Sequence, residues 1–236
     1  MKRLGYTLSE VLVTLAIIGV VSAMTIPVLV SGHNKQMCAK TLSTAVFDFE
    51  AAMKNMIQKE GVDDLLETEA WKLEEITADS FREKLNKYLP VKNSAPRTYA
   101  SLGASSSSFT TNEASSLWYL TSKGEEFAIY VDADASLAKS EAELIEGGYT
   151  YRKKAAEVCV DVNGSDKPNT YGRDFFCYEL SVDGDMHPLG GYEYAKYHHT
   201  GSGEPTISNA KTECLNNKDG LYCAEYLKQN NYKMDY

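Results

Sequence analysis

The chain has 236 residues, of which 43% are hydrophobic and 24% charged. This is the balance of an ordinary globular protein of one domain or one domain plus an appendage. It excludes a wholly disordered chain, a collagen-like fibre and a polytopic membrane protein. The formal net charge is −9. A small basic patch apart, such a chain lacks the clustered cations that draw a protein to nucleic-acid phosphates or an anionic lipid surface.

The apolar residues concentrate at the start. From Val11 to Val30 no side chain is charged, and the next charge after Glu10 is Lys35. At a helical rise of about 1.5 Å per residue the run reaches roughly 30 Å, the thickness of a bilayer's hydrocarbon core. Nothing later in the chain comes close to it. Lys2 and Arg3 with Val21-Ser22-Ala23 have the parts of a secretory signal peptide, but the apolar run continues past them to Val30. A plain anchor accounts for the length, and leaves Gly5, Glu10 and Pro27 without a reason.

A third reading uses all of these residues. Lys2 and Arg3 form a short basic leader. Gly5, Tyr6, Thr7-Leu8 and Glu10 follow, then an uninterrupted apolar segment with Gly19 and Pro27 inside it. Over about the first thirty residues this resembles the class III signal of type IV pilins and type II secretion pseudopilins. Tyr6 stands where that signal most often has Phe, and Ser9 where a larger apolar residue is usual. The resemblance implies that a prepilin peptidase cuts between Gly5 and Tyr6 and methylates the new N-terminus. It implies a leader at 1–5, a transmembrane and assembly segment at 6–30, an amphipathic stem at 31–60 and a head at 61–236. It further implies a single-pass protein of the bacterial cytoplasmic membrane with an extracytoplasmic head. Its partners would be an assembly platform and copies of itself or other pilin-like subunits, in a periplasmic or cell-surface filament.

Elementary electrostatics gives Glu10 a role in that scheme. A lone acid at mid-membrane costs about 2.5–3.5 kcal/mol on insertion scales, so it is expected to have a partner. Cleavage after Gly5 creates one, the Tyr6 ammonium, four residues away on the same helix face. The resemblance extends the pairing to a neighbouring subunit, where it would set axial register. Gly19 and Pro27 weaken a helix, and the resemblance implies that the segment between them can lose helicity on assembly.

Past Lys35, Leu42, Val46, Phe49, Met53, Met56 and Ile57 recur at steps of three and four, and Gly61 offers a stop. The spacing predicts one helix from Tyr6 to Glu60 whose outer half lies on a sheet. The head reads as α+β. Asp79–Tyr88 is expected as a short amphipathic helix and 93–116 as a long Ser-rich loop. Leu117–Thr121 with Phe127–Val131 reads as a hairpin, followed by strands at 158–162 and 175–180 and a turn at Asp183-Gly184. The expectation is an antiparallel sheet of about four strands across the helix.

Asp161, Asn163 and Ser165 alternate as oxygen ligands do at the start of a calcium loop. The glycine and glutamate that complete that loop are absent, and Asp and Asn close turns without metal, which is the preferred reading. No other cofactor is expected. Among the five cysteines, Cys159 and Cys177 fall in neighbouring strand candidates, and Cys214 and Cys223 enclose a short C-terminal segment. Four cysteines allow three pairings, and spacing does not choose among them. Cys38 is expected to be unpaired. His187, His198 and His199 lack partners at metal-ligand spacing, and neither a Gly-x-Ser-x-Gly turn nor a phosphate-binding glycine loop occurs. The aromatic run 190–197 is expected to cover a sheet edge. No enzymatic activity is expected. The alternative to a filament subunit is a membrane-anchored extracytoplasmic binding domain that does not polymerise, with an anchored enzyme a distant third.

Overall fold

The computed structural model describes residues 7–72, 76–95, 98–100, 108–110, 116–130, 154–189, 210–216, 220 and 222–236. The run 190–197, His198 and His199, and the cleavage pair Gly5 and Tyr6 lie outside the described residues.

One helix dominates the molecule. α1 runs Leu8–Glu60, 53 residues, about 80 Å at the usual rise. It continues unbroken through Gly19 and Pro27. It ends at Gly61, whose φ of 66° is left-handed and whose N–H reaches the Ile57 carbonyl at 3.0 Å. A side chain at that φ would be strained, so glycine makes the stop sharp.

Beyond Cys38, α1 has two faces. Leu42, Val46, Phe49, Met53 and Met56 are buried, with Ala39, Ala45 and Ala52 filling the shorter approaches between them. Each large side chain so buried is worth about 1.5–3 kcal/mol over leaving it in water. Ile57 lies at the edge of this stripe, half-buried.

The stripe packs on an antiparallel sheet. Its strands are β1 (Val91–Asn93), β4 (Ser116–Thr121), β5 (Glu126–Tyr130), β6 (Lys154–Asp161), β7 (Phe175–Ser181) and β8 (Met186–Pro188), hydrogen-bonded in that order. β2 (Thr98–Ala100) and β3 (Ser108–Thr110) form a separate antiparallel pair. Alternation along the strands sends Tyr119, Phe127, Ile129, Val158, Val160 and Tyr178 toward α1. Trp118, Ala128, Cys159 and Cys177 go to the opposite face. The Phe49 and Phe127 rings stack at 4.9 Å.

The sheet has six strands where the sequence suggested about four. The two extra strands, β1 and β8, are three-residue edges, too short to show an alternation. β8 ends in Pro188, a residue tolerated at an edge because it has no N–H to donate. The stretch 93–116, expected as loop, contributes the β2–β3 pair.

Among the described residues, three short α-helices belong to the head. α2 (Ala78–Leu85) inserts Phe81 and Leu85 into the core, with Trp71 edge-on to Phe81 at 5.1 Å. α3 (Ala210–Asn216) and α4 (Cys223–Gln229) lie near the C-terminus. The architecture is α+β and pilin-like: a long N-terminal helix with its outer half against an antiparallel sheet.

Candidate functional site

The candidate site is the start of α1. Thr7 is its N-cap, with extended backbone, and its hydroxyl accepts from the Glu10 N–H at 3.3 Å. In return Glu10 Oε2 accepts from the Thr7 N–H at 2.8 Å and from the Thr7 hydroxyl at 2.7 Å. This reciprocal box satisfies two of the donors that a helix start leaves open. It also places a carboxylate where the positive end of the helix dipole favours one. Glu10 therefore has a partner inside its own chain, Thr7, which the sequence reading did not assign to it.

Past Glu10 the helix offers an apolar surface with nothing on it. Leu12, Val13, Leu15, Ile17, Ile18 and Val20 each expose more than half of their surface. Gly19 has no atom within 4 Å of where a Cβ would stand, so nothing among the described residues requires a glycine there. Two polar side chains in this stretch turn back onto the helix. Thr14 donates to the Val11 carbonyl and Thr25 to the Val21 carbonyl, both at 2.9 Å. Such back-bonding hides hydroxyls from an apolar solvent. The helix is long and apolar enough to cross a bilayer.

Residues 1–26 match the prokaryotic N-terminal methylation motif. The chain thus carries the signal of type IV pilins and pseudopilins, on the residues from which the resemblance was drawn. Neither the curated proteins nor the solved structures gave a match to the chain. The motif and the apolar helix are together consistent with membrane anchoring.

The remaining candidates sit in the head. Cys159 and Cys177 are directly opposed in β6 and β7 and are joined as a disulfide. Cys214 in α3 is joined to Cys223 in α4. Strand register selects one of the three pairings that spacing left open. Cys38 is a free thiol, half-buried in α1, and burial raises its pKa, with Asp174 and Asp161 adding to the effect.

Asp161 is buried at the end of β6, and its Oδ1 accepts from the Asn163 N–H at 3.1 Å. The Asn163 amide donates to the Lys167 carbonyl, and Ser165 is exposed. Across the same loop, Asp174 accepts from the N–H groups of Asn169 and Thr170. Burial raises the Asp174 pKa, opposed by the hydrogen bonds from Thr170, Asn169 and the Asn163 side chain. Most polar groups of the loop bond within it, while Asn163 Oδ1 and Asn169 Oδ1 are buried without a hydrogen-bond partner among the described residues. Among the described residues, no group of three or more His, Cys, Asp or Glu side chains could hold a metal. His187, expected in a loop, is in β8 opposite Glu179.

A set of polar ties between head and stem went unread in the sequence. Lys54 is paired with Asp185, and Lys123 with Asp48. Glu50 Oε1 accepts from the Met186 N–H at 2.8 Å. Each joins residues far apart in the chain, and charged residues on a half-exposed helix carry no local mark of a distant partner.

Proposed function

We propose that the chain is the precursor of a filament subunit, a pilin or a pseudopilin. A prepilin peptidase removes residues 1–5 and methylates Tyr6. Before that cut, residues 6–30 hold the precursor in the cytoplasmic membrane with Lys2 and Arg3 on the inner side. The same residues then form the packed interior of the fibre, residues 31–60 carry the head, and 61–236 make the outer surface.

The observation that carries this reading is the continuity of two features. A methylation motif on residues 1–26 runs directly into a helix whose apolar side chains find no partner in their own chain. A bilayer satisfies such a rod before assembly, and neighbouring rods satisfy it afterwards. Glu10 then acts as the register element. Bonded to Thr7 in the single chain, it has further lone pairs for the ammonium that cleavage exposes on a neighbouring subunit. A carboxylate without that partner in an apolar interior is disfavoured, so the subunits settle where the charges meet.

The mass of the mature N-terminus tests processing. A start at Tyr6 with one added methyl group is expected; a start at Met24 overturns the reading. Assembly is tested separately with Glu10→Leu, which is expected to be inserted and cleaved normally yet missing from fibres. Normal incorporation of that variant would overturn Glu10 as the register element, and absence of the wild type itself from fibres would identify a tethered domain.

A further inference from the structure

Where α1 leaves its apolar run, it and the head enclose a crevice of about 350 Å³. Pro27, Val30, Lys35 and Cys38 line the helix side, and Arg173 and Tyr236 the head side. We propose that this crevice is a binding site for the headgroup of an anionic glycerophospholipid, in the leaflet on the head's side of the membrane. The inference rests on the reading that residues 11–30 lie in the bilayer.

Level is the first argument. Val30 ends the uncharged run and Lys35 is the first charge beyond it. Five residues of helix rise about 7.5 Å, the step from the edge of the hydrocarbon to the phosphate layer. A lipid standing beside the helix would lay its acyl ends along Val30 and Pro27 and bring its phosphate between Lys35 and Arg173.

Charge is the second. Lys54 and Lys123, two other lysines placed between stem and head, are engaged by Asp185 and Asp48. Neither Lys35 nor the Arg173 guanidinium has an ion-pair partner among the described residues. They face one crevice from opposite walls. Asp174 also lines it, but its carboxylate is turned into its own loop, where it accepts from Asn169 and Thr170. The uncommitted side-chain charge at this site is therefore positive, in a chain that is acidic as a whole.

Built walls are the third. Tyr236 donates its hydroxyl to the Gly172 carbonyl at 2.7 Å, beside Arg173. Gln36 on α1 donates to the Met234 carbonyl at 3.5 Å. These bonds hold the C-terminal segment, the Arg173 loop and the helix around the opening before any ligand arrives.

The test uses the full chain in phosphatidylcholine vesicles containing phosphatidylglycerol. Flotation with the vesicles reports insertion, and native mass spectrometry of the protein released from them reports retained lipid. The wild type should float and keep one phosphatidylglycerol. The double variant Lys35→Ser/Arg173→Ser should float equally and retain it about thirtyfold less, as expected when two cations near a phosphate are lost. Arg173→Lys, which keeps the charge, should retain it. A wild type that floats without lipid, or a double variant that retains as much, overturns the site. A wild type that fails to float overturns the membrane reading instead. Added inorganic phosphate should leave the lipid in place; displacement would overturn a lipid as the ligand, in favour of a free anion.

Discussion

Thr7 donates both its N–H and its hydroxyl to a single oxygen of Glu10, at 2.8 and 2.7 Å. The acid that would set register in a fibre is thereby aimed by the residue that starts the helix. Thr7→Val keeps the shape of the side chain and removes the hydroxyl. It is expected to cost about 1 kcal/mol of helix stability, the worth of a good N-cap. It should also free Glu10 to change rotamer. Fibre yield should fall while cleavage continues, a partial loss beside the complete one expected of Glu10→Leu. Quantifying cleaved and polymerised protein in the same cells separates the two effects.

Gly184 stands at the turn between β7 and β8 with φ of 88°. A Cβ there would come within 3.2 Å of the Lys54 backbone nitrogen and of the Met53 Cβ. The turn is pressed against the stem, and both the left-handed backbone and the close approach require glycine. Gly184→Ala should destabilise the head by about 1–3 kcal/mol. The check is a lower denaturation midpoint with unchanged slope. A wild-type midpoint would mean that the turn does not rest on α1 in solution.

The parts legible in the sequence are those whose signal is local and periodic. The uncharged run to Val30, the stripe from Leu42 to Met56 and the β4–β5 hairpin each repeat a short pattern with one physical cause. β1 and β8 were not legible, because three residues cannot show a period. The Glu50–Met186 tie was not legible either, because a glutamate on an amphipathic helix reads as a solvated charge whatever it meets. The Thr7–Glu10 box lies between these cases. Thr followed three residues later by Glu at a helix start is a known capping pattern, but the processing motif drew Glu10 toward Tyr6 instead. At the other end of the molecule the pairing of Cys159 with Cys177 became decidable only with strand register.

Glu50 gives the head a pH dependence. Burial is the largest influence on its carboxyl and raises the pKa above the ordinary value; the Met186 N–H opposes it, Asp185 adds to it, and Lys54 and Lys228 oppose it. A carboxyl with a raised folded-state pKa favours the folded protein fully below its unfolded pKa. That contribution is lost as pH rises through the folded value. Glu50→Gln can still accept from Met186 and carries no charge to desolvate. Its stability should match the wild type in acid and exceed it above the raised carboxyl range, on denaturation curves taken at several pH values. A variant less stable than the wild type at neutral pH would mean that attraction to Lys54 outweighs burial.

The two disulfides should fail differently. Cys159 and Cys177 are separated by 18 residues and tie the central strands β6 and β7. Loop-closure entropy puts such a link at about 3 kcal/mol, and its loss acts on a sheet that unfolds as a unit. Cys159→Ala/Cys177→Ala should therefore lower the midpoint of the whole head. Cys214 and Cys223, 9 residues apart, join α3 to α4, and beyond them the chain is held by Tyr236 on Gly172 and by Met234 against Gln36. Cys223, Ala224, Leu227 and Met234 are also buried in the core, so without the link the segment keeps its apolar seat on the sheet while its own openings become easier. Cys214→Ala/Cys223→Ala should leave the sheet amides as protected as in the wild type while hydrogen exchange over 223–236 accelerates. Faster exchange in β6 and β7 of this second variant would show that the C-terminal segment is part of the same cooperative unit as the sheet.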